Sequence, residues 1–236
     1  MKYIATPHSA EGRQLSFYLA MEEYVARCVD EPECFFIWQV SPTVIFGRNQ
    51  SLQNEVNTEY CRRHGIDIYR RKSGGGCVYA DRGNIMLSYV CDSDNVGFTF
   101  NKFINMVILV LRRMGVEATG TSHNDVLIGG RKVSGTAFYH LPGRSIVHAT
   151  MLYDTDMENM LNAITPSTEK LEAKGIKSVR QRITLLKDYV DMSLDEVKSS
   201  FRTILCTGER MLTDTDIKAI GEIEKQYLNE EFIHRM

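Results

Sequence analysis

Asp125–Tyr153, DVLIGGRKVSGTAFYHLPGRSIVHATMLY, is the stretch that decides the fold class. Three β-type runs, Asp125–Ile128, Arg131–Tyr139 and Ser145–Tyr153, are separated by Gly129–Gly130 and by Pro142–Gly143. Such dipeptides return one strand antiparallel to the next. With Val116–Ala118 ahead of them, these runs predict a β-meander. A doubly wound nucleotide-binding sheet would instead alternate each strand with a helix.

Working outward, Phe98–Met114 carries Phe100, Phe103, Ile104, Val107, Ile108 and Leu111 at helical spacing and stops at Gly115. Helical patterns return at Met157–Ala163, Ser193–Leu205 and Thr213–Asn229. Ser193 followed by Glu196 forms a capping box, and Thr213–Asp214 opens the last helix similarly. Towards the N-terminus, Tyr3–Thr6 reads as a strand and residues 13–29 as a helix. FFIWQV (35–40) and TVIFG (43–47) read as two strands in a hairpin across Ser41–Pro42. Asn57–His64 is a short helix closed by Gly65, and Ile66–Arg70, Val78–Tyr79 and Ile85–Val90 are further strands. Helices inserted among hairpins predict an α+β fold with a mixed, largely antiparallel sheet flanked by helices. No repeat or composition break divides the chain, so residues 1–236 are expected to form one domain, closed by the helices at 193–229.

The 236 residues are 43% hydrophobic and 25% charged, with a formal net charge of −2. That composition suits a soluble globular core and gives no global basic field for a nucleic-acid partner. The longest apolar run, Met106–Leu111, is too short to span a bilayer, and the first residues lack a secretory h-region. Six cysteines at irregular spacing form no C-x-x-C pair, so the expectation is reduced thiols in a cytoplasm, with no metal site and no disulfides.

Two stretches could carry chemistry. Arg70–Asn84, RRKSGGGCVYADRGN, leads two arginines and a lysine into three consecutive glycines. Taken alone it is either a polar turn or a cradle in which main-chain N–H groups and fixed charge receive an anion. Both standard phosphate-loop motifs are absent. The second stretch is Ser122–Phe138, where Asn124 and Asp125 precede a strand and Lys132 follows the Gly-Gly turn. Lys132 is the leading candidate: a point charge beside the small residues Ser134, Gly135, Thr136 and Ala137, which leave room for a ligand. His148 is either a ligand-polarising group or a satisfied strand histidine. Cys77 is either an activated nucleophile or a small hydrophobe. The basic run Lys177–Arg182 is either a solvated face or a loop that meets an anion.

RRKSGGGCVYADRGN resembles the R-R-x-S-G-G-G-A-V-Y-H-D-x-G-N signature of lipoate–protein ligases. LSFYLAMEEYV, WQVSPTVIFGRNQSLQNEVN, NDVLIGGRKVSGTAF, VHATML and KSVRQRITLL resemble that family in the same order, from about residue 13 to about residue 190. Two positions differ: Ala80 stands where the pattern has histidine, and Ala149 where it has glycine. The resemblance implies the biotin/lipoate ligase catalytic-domain fold. It also implies an ATP-dependent reaction in two steps, with lipoate, ATP and Mg2+ giving lipoyl-AMP and a lysine of a lipoyl carrier domain then taking the acyl group. The implied carriers are those of 2-oxoacid dehydrogenase complexes or the glycine cleavage H protein. Carried over by position, Arg71, Ser73, Gly74, Gly75, Gly76, Cys77, Val78 and Tyr79 bind the nucleotide phosphate and lipoyl tail. Asn84, Asn124 and Asp125 are polar wall residues beside His148. Lys132 bridges the lipoate carboxylate and the α-phosphate, and Gly135, Thr136 and Ala137 leave room for the ligand.

Bacterial ligases of the family carry a further C-terminal domain, sometimes as a separate polypeptide, so the expectation is a short form that uses an accessory protein. The alternatives are a lipoyl or octanoyl transferase and a non-catalytic lipoate or lipoyl-AMP binder. The cysteine such transferases place upstream of the lysine motif has no counterpart in Gly115–Asp125.

Overall fold

The computed structural model describes residues 1–10, 12–121, 125–165 and 182–234. In chain order the strands are β1 (Lys2–Ala5), β2 (Glu33–Trp38), β3 (Thr43–Phe46), β4 (Asp67–Arg70), β5 (Val78–Ala80) and β6 (Asn84–Cys91). They continue as β7 (Ala118–Gly120), β8 (Asp125–Ile128), β9 (Arg131–Leu141), β10 (Arg144–Leu152) and β11 (Gly208–Met211). The helices are α1 (Leu15–Cys28), α2 (Leu52–Glu55), α3 (Thr58–His64), α4 (Val96–Arg113) and α5 (Met157–Ala163). After the next stretch come α6 (Leu194–Leu205), α7 (Asp214–Tyr227) and α8 (Glu230–His234).

Strands β7 to β10 form the expected meander. Gly129 and Gly130 both hold positive φ, 56° and 77°, as a two-residue turn of the primed kind requires. The meander is half of an eight-stranded sheet in the order β11-β1-β2-β6-β10-β9-β8-β7. All its pairings are antiparallel except β11 with β1 and β1 with β2. The mixed, largely antiparallel α+β reading therefore holds.

Period-two alternation fixes both faces of this sheet. Ile85, Leu87, Tyr89, Val147, Ala149 and Met151 join the core under α4 and α6. Met86, Val90, Cys34, Phe36 and Trp38 join the core under α1 and α7. Helix α1 lies between the sheet and α7, which is why nearly its whole circumference is buried. The capping boxes at Ser193–Glu196 and Thr213–Asp216 are both present.

The predicted hairpin at Ser41–Pro42 is not formed. β3 leaves the large sheet and pairs in parallel with β4 and antiparallel with β5, giving a separate three-stranded sheet. Every residue of β3 is buried, the pattern of a strand covered on both faces. Val44, Phe46 and Tyr79 pack with Cys61 and Ala163 on one side. Ile45 and Val78, a cross-strand pair, face the other way, towards the large sheet. β11 has no counterpart in the sequence reading, because GERM is short, polar and alternately exposed. The six cysteines are free thiols, and no helix among the described residues is long and apolar enough to cross a membrane.

The two sheets are joined at Gly83, whose carbonyl accepts the Asp154 amide at 2.8 Å. A Cβ there would run into the Asp154 main chain. Gly83→Ala is expected to destabilise the fold by about 1–3 kcal/mol, measured by denaturant unfolding.

Candidate active site

A cavity of about 240 Å³ lies in the seam between the two sheets. Its walls include Gly75, Gly76, Cys77, Val78 and Ile45 from the small-sheet side, and Lys132, Gly135, Thr136, Ala137 and His148 from the large sheet. Leu19, Trp38 and Met86 supply an apolar wall, and Asp125 and Arg182 stand with Lys132. The two stretches singled out in the sequence thus meet across one cavity.

Lys132 reaches this cavity because β9 carries a bulge. The register runs Asp125↔Gly135, Val126↔Ser134, Leu127↔Lys132, with a shift between Val126 and Leu127. Asp125 and Leu127 share a face by strand periodicity, so their partners Gly135 and Lys132 share it too, although they are three residues apart. Val133 is the extra residue that the bulge absorbs. Without it Lys132 would point to the opposite face. The Lys132 Nζ then lies 2.7 Å from Asp125 Oδ1, and Arg182 Nη2 lies 2.7 Å from Asp125 Oδ2. One carboxylate holds two cations. A Cβ on Gly135 would fall 2.5 Å from the Lys132 Nζ, so the glycine makes space for the folded lysine as well as for a ligand.

The glycine loop is shaped from within. Arg71 is 4% exposed, and its guanidinium donates to the carbonyls of Gly74 (2.7 Å), Gly76 (2.6 Å) and Ile45 (3.0 Å). Burial lowers its pKa to about 10, opposed by Cys77 and Glu22, which leaves it charged at neutral pH. Because peptides are trans, carbonyls of residues 74 and 76 that point at Arg71 direct the N–H groups of Gly75 and Cys77 away from it. Gly75 holds φ 89°, and a Cβ on Gly47 would meet the Gly75 carbonyl oxygen at 2.5 Å. Arg70 donates to the carbonyls of Arg48, Gln50 and Ile233, and Lys72 pairs with Glu23 at 2.6 Å. Arg70 and Lys72 are therefore spent on protein partners, while Arg71 both supports the loop and lines the cavity. Lys132, Arg182 and Arg71 are the cations that border the cavity, with main-chain N–H groups of the loop beside them.

Ser73 is buried and shares a hydrogen bond with His148 Nε2 at 2.8 Å. Gly74 contributes its carbonyl to Arg71, and Tyr79 packs in the small-sheet core. Asn84 is not brought to the cavity; it donates to the Tyr79 carbonyl and accepts from Thr155, fully buried. Asn124 lies outside the described residues. Ala80 is fully buried under α1, and Ala149 lies in the cavity wall. The Cys77 thiol is pushed up to about 12 by burial, against the lowering influence of Arg71, which disfavours a nucleophilic thiolate. Glu22, Trp38, Leu19, Met86 and Arg182 were not singled out as site residues. Leu19, Glu22 and Trp38 lie in stretches that resemble the family and Arg182 ends the basic run, whereas Met86 carries no signal of its own. Among the described residues no group of three or more His, Cys, Asp or Glu could hold a metal ion.

Residues 14–205 match the family model described as the lipoyl protein ligase A/B catalytic domain. The lipoate-protein ligase LplJ of Bacillus subtilis is 36% identical over 219 residues, covering 88% of this chain and 66% of its own length. Lipoate–protein ligase 1 of Staphylococcus aureus is 36% identical over 232 residues, covering 94% and 70%. The chain thus spans about two thirds of the length of these curated relatives. Among solved structures, the bipartite lipoate protein ligase of Thermoplasma acidophilum, studied with its E2 lipoyl domain, superposes with a TM-score of 0.84. It is 27% identical, covering 99% of this chain and 95% of that one. A lipoate-protein ligase A bound with ATP gives a TM-score of 0.81 at 25% identity, covering 99% and 98%.

The raised Cys77 pKa gives a direct check. At pH 8 the thiolate fraction of a thiol titrating near 12 is about 10⁻⁴. Iodoacetamide is therefore expected to alkylate exposed Cys28 well before Cys77, read by peptide mass spectrometry. Equal rates would contradict the burial argument.

Proposed function

The chain belongs to the lipoyl protein ligase A/B catalytic-domain family, and on that premise we propose that it activates lipoate with ATP and transfers the lipoyl group to a lysine of a lipoyl carrier domain. The observation that carries this reading is the placement of Lys132, held by Asp125 over Gly135 and facing the main chain of Gly75–Cys77 across the cavity. In the first step a lipoate carboxylate oxygen attacks the α-phosphorus of ATP and pyrophosphate leaves. Two anions must meet at one phosphorus, and Lys132 with Arg182 supplies fixed charge where negative charge accumulates. In the second step the carrier amine attacks the acyl carbon, loses its proton, and AMP leaves.

Residue types around the cavity fit both halves of lipoyl-AMP. Leu19, Trp38, Ile45 and Met86 present apolar surface to the acyl chain. The N–H groups of the glycine loop and the two cations suit the phosphate. Mg2+ accompanies ATP as part of the substrate in this scheme. We read residues 1–236 as one catalytic domain acting in the cytoplasm. The carriers are lipoyl domains of 2-oxoacid dehydrogenase complexes or the glycine cleavage H protein. A thioester route through Cys77 is disfavoured by the raised pKa of its thiol.

The purified chain is incubated with an apo lipoyl domain and either lipoate, ATP and Mg2+ or preformed lipoyl-AMP. The second arm bypasses any accessory polypeptide, such as a bipartite ligase uses. A mass gain of one lipoyl group on the carrier lysine in either arm is the expected outcome; no gain in both arms overturns the proposal. Lys132→Ala is expected to lower the rate roughly 100–1000-fold. Gly135→Ala is expected to lower it in the same direction while unfolding at nearly the wild-type temperature, because the added methyl displaces only the flexible end of Lys132.

A further inference from the structure

A buried chain of hydrogen bonds runs behind the cavity, and the carboxylate at its centre comes from α1, outside the glycine and lysine stretches. The Trp38 indole N–H donates to Ser88 Oγ at 2.8 Å. Ser88 in turn donates to Glu22 Oε1 at 2.5 Å. The other oxygen, Glu22 Oε2, lies 2.8 Å from His148 Nδ1, and His148 Nε2 lies 2.8 Å from Ser73 Oγ. Strand register brings the links together: Ser88 is paired with Phe36 of β2 and with His148 of β10. The α1 face of the sheet therefore presents Trp38, Ser88 and His148 to Glu22. Ser88 is fully buried, Glu22 is 3% exposed and Ser73 is 2% exposed.

Donor chemistry fixes the direction of the bonds that converge on Glu22. An indole nitrogen only donates, so Ser88 accepts from Trp38 and sends its own proton to Glu22. A carboxylate only accepts, so His148 places a proton on Nδ1, and when the ring is neutral its Nε2 accepts from the Ser73 hydroxyl. The order serine, histidine, carboxylate is also that of a hydrolytic triad, but Ser73 is enclosed and is not part of the cavity wall. A nucleophile there could not reach an acyl carbon.

We infer that Glu22 is a positioning residue that sets the tautomer of His148, and through it the Ser73 end of the glycine loop, while fixing Trp38 against the acyl chain through Ser88. The two arms of one carboxylate thereby couple the apolar end of the cavity to its anion end. The acyl and anion assignments rest on the ligase reading; the tautomer does not.

Glu22→Gln keeps the shape and changes the donor count. Ser88 still needs an acceptor for its proton, so the new amide presents its oxygen to Ser88 and its NH2 to His148 Nδ1. The imidazole proton then moves to Nε2. The test uses protein labelled with ¹⁵N-histidine, with His148 assigned by comparison with a His148→Asn spectrum. The neutral wild-type ring is expected to show a protonated Nδ1 and an unprotonated Nε2, and Glu22→Gln is expected to exchange the two signatures. A wild-type Nε2–H tautomer, or an unchanged pattern in the variant, overturns the proposal.

Kinetics of transfer from preformed lipoyl-AMP separate the arms. Glu22→Gln and Ser73→Ala should each lower kcat about tenfold, and the double variant no further, since both break one network. Ser88→Ala should raise KM for lipoyl-AMP about fivefold through the freed Trp38, with kcat within about twofold of wild type. Additive losses, or a Ser88→Ala effect confined to kcat, overturn the coupling. If the wild-type chain transfers nothing, the ligase reading fails, while the imidazole spectra still decide the role of Glu22.

Discussion

The site depends first on a buried arginine. Arg71 sits inside the glycine loop and donates to three main-chain carbonyls at 2.6–3.0 Å. A guanidinium taken out of water is costly unless its donors are met, and here the loop folds around it to meet them. The planar fork is what allows one side chain to serve Ile45, Gly74 and Gly76 at once, which the single ammonium of a lysine would not reproduce. The carbonyls turned inwards leave neighbouring N–H groups turned outwards. The cradle character of the loop is thus a consequence of its internal support.

The second constraint is topological. The cavity lies where the α1 face of the large sheet meets the Ile45–Val78 face of the small sheet. β3 does not stay in a hairpin with β2, which has β6 on one side and β1 on the other. Moving β3 into parallel partnership with β4 carries Arg70, at the end of β4, and the Arg71 and glycines that follow it across to the large sheet. The bulge at Val133 then aims Lys132 at them. A regular ladder would have buried the lysine's position or exposed it on the wrong face, so the local irregularity and the seam between sheets are both required.

Much of this was legible in the sequence because it is written in short-range patterns. The Gly-Gly and Pro-Gly turns, the helical spacing of α4 and the caps at Ser193 and Thr213 are local devices, and each reappears where expected. The α+β class followed from them. Three features were not legible for the same reason. The separation of β3 from β2 follows from long-range pairing that gives both edges of β2 to β1 and β6, and β11 forms where β1 offers an edge to a polar tetrapeptide. Glu22 reads as one position of an amphipathic helix; nothing in its neighbours says that a histidine 126 residues away will meet it. The loop arginines show the converse. Charge beside glycine reads as an anion site, yet Arg70 and Lys72 are engaged by protein partners, and Arg71 reaches the cavity while it supports the loop from within.

Asp125 sets the balance of charge at the site. Two cations whose heads both lie 2.7 Å from one carboxylate would repel each other by a few kcal/mol at an effective dielectric of about 20, and the shared aspartate offsets that repulsion. It also subtracts one unit of positive charge from a site proposed to receive anions. An arrangement built for field strength alone would omit it. Retaining it gives up attraction in exchange for fixed positions, with Lys132 folded over Gly135 and Arg182 held to the opposite carboxylate oxygen. In a reaction that joins a carboxylate to a phosphate, placement of charge along the forming bond lowers the barrier, whereas a diffuse field binds both anions without aligning them. The geometry around Asp125 favours alignment, and the small residues of β9 keep the approach to it open.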